Sequence, residues 1–192
     1  MFRKITEKSY KTAKWSGGTT TELYIFPEDS SYSKRDFLFR ISSAKIETEK
    51  SVFTKLPNIS RKIMLLEGHL KLEHKNHHQC VLNQFSKDSF SGDWETISFG
   101  KAKDFNLMTT SDCTGDLEHI RLLKNKSQLF KIDNLSKNKI YHFYLYDGKL
   151  EISKDNILLE ENDSFVIYNE PKFSLIFTAK QDSHLIISKV VL

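Results

Sequence analysis

The chain has 192 residues, 39% hydrophobic and 28% charged, with 14 Phe, 7 Gly and 3 Pro, which supplies a packed core and excludes fibrous or linker-rich chains. The net charge is +4, yet no basic run exceeds two residues (Arg3-Lys4, Lys34-Arg35, Arg61-Lys62), so the concentrated stripe of a nucleic-acid site is missing. No apolar stretch nears membrane-spanning length, and the first residues, MFRKITEKSYKTAKW, lack the apolar centre of a signal peptide. A soluble, unexported protein with no nucleic-acid or membrane partner is expected, with Cys80 and Cys113 as two reduced thiols.

Short runs rich in β-branched and aromatic residues predict strands along the whole chain. They are Leu23 to Phe26, Phe37 to Ile46, Ile63 to Leu72, Ile140 to Tyr146, Ile157 to Leu159, Phe165 to Tyr168, Leu175 to Phe177 and Leu185 to Val191. Polar breaks such as Lys75-Asn76, Asp155-Asn156 and Asn169-Glu170-Pro171 separate them. Only Asp116 to Lys124 also reads as a short helix. The chain also repeats itself. Leu65-Leu66-Glu67-Gly68-His69-Leu70 aligns with Leu145-Tyr146-Asp147-Gly148-Lys149-Leu150, and Asp88-Ser89-Phe90 with Asp163-Ser164-Phe165. Two β-modules in tandem follow, over residues 1–110 and 111–192, with N-terminal strands that the two could share. An acidic-Gly turn followed by a strand beginning at Asp-x-Phe has the rhythm of a cupin barrel. The predicted fold is therefore all-β, a bicupin packed as one unit.

The first module carries an ordered series of motifs: Trp15-Ser16-Gly17-Gly18-Thr19-Thr20-Thr21-Glu22, Phe39-Arg40-Ile41-Ser42, Phe90-Ser91-Gly92-Asp93 and Asp104-Phe105-Asn106-Leu107-Met108. In order and spacing the series resembles the HutD/Ves family of bacterial proteins. That resemblance implies a bicupin, a cytoplasmic protein often encoded with histidine-utilisation genes, and a regulatory or ligand-sensing role without an assigned reaction. The chain departs from the family pattern at Phe53-Thr54, at Asn58-Ile59-Ser60-Arg61 and at Thr109-Thr110, so ligand contacts there need not transfer.

A catalytic cupin holds its metal with two His, a Glu and a further His, and four of the seven histidines crowd into GHLKLEHKNHHQ. By strand parity His69 joins Lys71 and Glu73 on the outer face, while His74, His77 and His78 flank a polar break and are expected on a solvated hairpin tip. Neither a metal nor another cofactor is expected.

The 29 basic residues resolve into 24 Lys and 5 Arg, and two of the arginines, Arg40 and Arg61, sit in the motif region. A guanidinium grips a carboxylate with two parallel hydrogen bonds, which an ammonium cannot do. Arg40 and Arg61 are therefore candidates for binding a ligand carboxylate; the alternative is an internal ion pair with Glu22, Asp93 or Asp104. Trp15 beside Gly17-Gly18 either lines the pocket mouth or plugs the barrel end. Glu22 could accept a hydrogen bond from an amine or imidazole, with Thr19 nearby and Ser42 beside Arg40. Asp104, Asn106 and Met108 share one strand face, opposite Phe105 and Leu107. Asp93 is expected to hold a turn.

Three functions compete. The first is a non-enzymatic protein that binds or senses a small nitrogenous carboxylic acid. The second is a metal-independent cupin enzyme with Glu22, Asp93 or Asp104 as base, and the third an interaction protein using exposed sheet edges. The second module is expected to support the first or to mediate a homodimer.

Overall fold

Alternation of apolar and polar residues writes one buried and one exposed face into most strands. Leu70, Leu72 and His74, for instance, are buried while Lys71 and Glu73 between them are not. The computed structural model describes residues 2–132, 139–168 and 173–192; the expected break at Asn169-Glu170-Pro171 lies outside them. In chain order the elements begin with β1 (Phe2–Ile5), a 3₁₀ turn at Glu7–Ser9, β2 (Lys11–Trp15), β3 (Gly18–Phe26), β4 (Phe39–Ile46) and β5 (Lys50–Val52). There follow β6 (Ser60–Gly68), β7 (Leu70–His74), β8 (Gln79–Leu82), β9 (Lys87–Ser91), β10 (Thr96–Phe99) and β11 (Ala102–Thr109). The remaining strands are β12 (Thr114–Leu122), β13 (Ser127–Ile132), β14 (Lys139–Asp147), β15 (Leu150–Ile152), β16 (Ile157–Leu159), β17 (Ser164–Tyr168), β18 (Phe173–Ala179) and β19 (Ser183–Val191). Residues 114–122 are thus a strand rather than a helix. Leu117 and Leu122 are its buried positions, and it joins a sheet edge beside β19.

The chain divides into two units, Tyr10–Thr114 and Met1–Ser9 with Gly115–Leu192. In the first, a six-stranded sheet (β2-β3-β4-β11-β6-β9) and a four-stranded sheet (β5-β10-β7-β8) share one core, where Ile63 and Leu65 meet Leu70, Leu72 and Leu82. In the second, a five-stranded sheet (β1-β17-β14-β19-β12) and a four-stranded sheet (β13-β18-β15-β16) close on Phe143, Phe165, Phe177 and Leu150. Strands β4 to β11 of the first unit and β12 to β19 of the second occupy their sheets in the same order, so the sequence repeat is a repeat of topology. The protein is a bicupin in jelly-roll form, in which no sheet of the described residues closes on itself. The module boundary expected near residue 110 becomes a division after Thr114, and the first nine residues go with the second unit because β1 pairs with β17.

The acidic-Gly turns that announced the repeat have a common cause. Gly68 and Gly148 adopt φ of 84° and 96°, and a Cβ on either would collide with a backbone carbonyl, that of Lys101 or Asp182. Among the described residues no helix is long and apolar enough to cross a membrane.

Candidate functional site

In the first unit the inner face of the large sheet carries a row of polar groups, because β4, β11 and β6 run side by side in antiparallel register. Met108 stands opposite Arg40 on β4 and Arg61 on β6, while Asn106 stands opposite Ser42 and Asp104 opposite Ala44. Parity then places Arg40, Ser42, Asp104, Asn106, Met108 and Arg61 on one wall of a cavity of about 280 Å³. Trp15 and Thr20 contribute from β2 and β3, and Ser51, Phe53 and Thr54 from β5 and the segment after it. Trp15 remains 38% exposed, at the opening rather than as an internal plug.

Two expected members stand differently. Thr19 faces the opposite side of the sheet, in an open groove with Thr21, Ser43 and Lys45, and Thr20 takes its place on the cavity. Glu22 keeps the parity of Thr20 but does not line the cavity; its Oε2 accepts a hydrogen bond from Arg40 Nε at 2.7 Å. Asp93 holds the turn after β9, accepting hydrogen bonds from Asn58 N–H at 3.3 Å and the Ser91 hydroxyl at 3.2 Å.

The two arginines are thereby distinguished. Arg40 is held in place, with Nε on Glu22, Nη1 donating to Ser42 Oγ at 3.2 Å, and its guanidinium 4.5 Å above the Tyr32 ring. Arg61 lies between Phe53 and Phe90, at 4.7 and 5.1 Å from the ring centres, and its buried Nε has no hydrogen-bond partner. Asp104 Oδ1 and Asn106 Oδ1 are likewise buried and without a partner. Burial pulls the Arg61 guanidinium down to about 10, against the Asp104 charge, which raises it. Burial also pushes the Asp104 carboxyl up to about 7, opposed by the Arg61 charge and by a hydrogen bond from the Ala44 backbone. The pair is electrostatically coupled without a hydrogen bond closing it, so both groups keep capacity for a further partner. Tyr32 and Phe53, which stack on the arginines, come from irregular segments with no periodic signal; the sequence marked Phe53 only as part of a motif where the chain departs from the family pattern, and did not mark Tyr32.

The histidines also depart from expectation. His69 is exposed as expected, but His74 is only 3% exposed and bonded through both ring nitrogens, at 2.8 Å to Thr96 Oγ1 and 2.8 Å to Asp88 Oδ2. It shares the parity of Leu70 and Leu72, the signal that would have placed it inside. Burial lowers its pKa, against the hydrogen bond and charge of Asp88. His77 stacks on Trp94 with centroids 3.7 Å apart, and the exposed His78 reaches Asp88 at 3.0 Å. In the second unit His142 is fully buried in β14 and burial holds its pKa down to about 3, so it is neutral at physiological pH.

A bicupin fold with a pocket of buried, incompletely paired polar groups in its N-terminal unit defines the class of protein. The chain belongs to the HutD family, whose model matches residues 7–187. A conserved protein of unknown function from Pseudomonas aeruginosa PAO1 has a similar structure, with a TM-score of 0.86 at 19% identity and all of both chains covered. HutD from Pseudomonas fluorescens SBW25 superposes with a TM-score of 0.74 at 19% identity over 98% of each chain. YhhW from Escherichia coli gives 0.75 at 10% identity, covering 98% of this chain and 97% of its own. At these identities the likenesses establish the fold. No curated protein matches the sequence.

Proposed function

We propose that the protein is a non-enzymatic binding or sensing protein whose N-terminal cavity takes a small nitrogenous carboxylic acid. The observation that carries this reading is the unpaired set on the cavity wall: Arg61 Nε as donor, with Asp104 Oδ1 and Asn106 Oδ1 as acceptors. Leaving each such group unsatisfied costs roughly 1–3 kcal/mol. A carboxylate answers the guanidinium, and an N–H answers the two acceptors. The aromatic rings around the arginines suit a flat, unsaturated body. Membership of a histidine-utilisation family supports compounds such as urocanate or formylglutamate as the first to try.

The test is thermal unfolding with a panel of small acids with and without N–H groups. A ligand at about 100 times its Kd adds about 2.7 kcal/mol of stability. Nitrogenous acids are expected to raise the midpoint and their nitrogen-free counterparts to act more weakly. Arg61→Lys, which keeps the charge but loses the fork, should abolish most of the shift. No shift with any acid at millimolar concentration overturns the proposal.

One observation favours a second reading, a metal-independent enzyme with Asp104 as general base: its carboxyl, pushed up to about 7, lies in the range such a base needs. Incubation of any stabilising acid with the protein, followed by NMR, separates the two. Unchanged ligand supports binding alone, and turnover lost in Asp104→Asn supports the enzyme.

A further inference from the structure

The hairpin formed by β7 and β8 brings an uncommon set of side chains together. His74 ends β7, and the turn is closed by a hydrogen bond from His74 N–H to the His78 carbonyl at 2.8 Å, so the two residues are cross-strand neighbours. Their rings lie 4.5 Å apart. Cys80 is two residues beyond His78 and pairs with Leu72, which puts it on the same face of the hairpin. Asp88, on β9 of the other sheet, meets the group from across the sandwich, with Oδ2 at 2.8 Å from His74 Nε2 and Oδ1 at 3.0 Å from His78 Nε2. One donor atom from each of the four residues falls within 4.8 Å of all the others. None of the four lines the cavity described above.

We propose that His74, His78, Cys80 and Asp88 form a tetrahedral binding site for a divalent transition-metal ion of the zinc class. Two imidazoles, a thiolate and a carboxylate are the donor types that zinc selects, and at zinc bond lengths tetrahedral donors stand roughly 3.3–3.8 Å apart. The apo spacing therefore needs adjustments of about 1 Å or less, and the exposed ring of His78 provides both an entry path and the freedom to move. A dication with one thiolate and one carboxylate is neutral, which suits a half-buried position. On binding, the Cys80 thiol proton passes to solvent and each neutral imidazole presents a bare Nε2, its proton moving to Nδ1. For His74 that Nδ1–H has an acceptor ready in Thr96 Oγ1, 2.8 Å away and buried. Four protein ligands leave no open position, so the ion acts structurally, fastening the hairpin of the small sheet to β9 of the large one. The site rests on none of the groups invoked for ligand binding.

The experiment uses the full chain, treated with a chelator and titrated with cobalt(II) as the spectroscopic stand-in for zinc. The expected result is one equivalent bound with the visible bands of tetrahedral cobalt and a thiolate-to-cobalt charge-transfer band, both displaced by zinc. Cys80→Ser should remove the charge-transfer band, whereas Cys113→Ser should keep it. His78→Ala, a change at an exposed side chain, should weaken binding by roughly tenfold or more, and Thr96→Val by roughly tenfold through the orientation of His74. Should Cys80→Ser fail to fold, His78→Ala and Cys113→Ser carry the comparison. Absence of the charge-transfer band in the native protein, or affinity unchanged in His78→Ala, overturns the proposal and assigns any bound cobalt to surface histidines.

Discussion

At the scale of single residues the decisive contrast is between an arginine whose Nε is paired and one whose Nε is not. Arg40 has Glu22 and Ser42; Arg61 has the charges of Asp104 and Tyr32 and the faces of two rings, with its Nε unpaired among the described residues. The Asp104 carboxyl is pushed up to about 7 in the folded protein from an ordinary value of 3.8. Between about pH 4 and about pH 7 the folded chain thus holds a proton that the unfolded chain has released, and the contribution of Asp104 to stability falls as pH rises through that window. Asp104→Asn is expected to flatten the decline, by an amount on the order of a few kcal/mol, in urea unfolding curves compared across that pH range. An unchanged pH profile would show the carboxyl to be ionised throughout. The sequence made much of this wall legible, because Asp104, Asn106 and Met108 are spaced by two and alternation must co-align them. The same rule disqualifies Thr19. It lies three residues from Glu22, and no bulge intervenes, since the irregularity in β3 falls after Glu22. His74 was misplaced because its polar neighbours at the turn outweighed its parity with Leu72.

Among the elements, the strands that the sequence revealed are those with apolar runs, such as β14, buried along most of its length, and β16. Strand β2, with all five residues exposed, and β5, with three residues, carry no such signal and exist because their neighbours offer backbone partners. The 114–122 segment reads two ways because its buried leucines, 117 and 122, fall at a spacing that fits neither period cleanly. The best-written elements are the turns between β6 and β7 and between β14 and β15. Gly68→Ala and Gly148→Ala should each cost about 1–3 kcal/mol, since both positions combine positive φ with a carbonyl where the Cβ would stand. Chemical denaturation of the two variants checks this; stability equal to the native protein in either would mean that the turn relaxes freely.

For the whole molecule, the repeat in the sequence foretold two similar units, but the allegiance of the first nine residues was not legible. Strand β1 pairs residue by residue with β17, from Phe2 opposite Ile167 to Ile5 opposite Ser164, and Lys4 Nζ lies 2.7 Å from Asp163. Nothing local to residues 2–5 names a partner so far along the chain. Removal of residues 1–9 should leave the Tyr10–Thr114 unit intact while exposing one edge of β17. Hydrogen exchange is expected to accelerate at the amides of residues 164–168 and to remain unchanged in β6 and β11. Equal acceleration in both units would contradict the division. This arrangement also dictates an order of assembly during synthesis. The backbone of Glu7 is tied to Asp163 across 156 residues, so this segment is synthesised long before its partner and is among the last to find its place. The Tyr10–Thr114 unit, which holds the cavity, lies wholly in between in the sequence and can finish folding first, with β1 held over until the C-terminal half emerges. One unit is continuous in the chain and the other is drawn from the sequence on both sides of it, so no single cut between residues yields both whole.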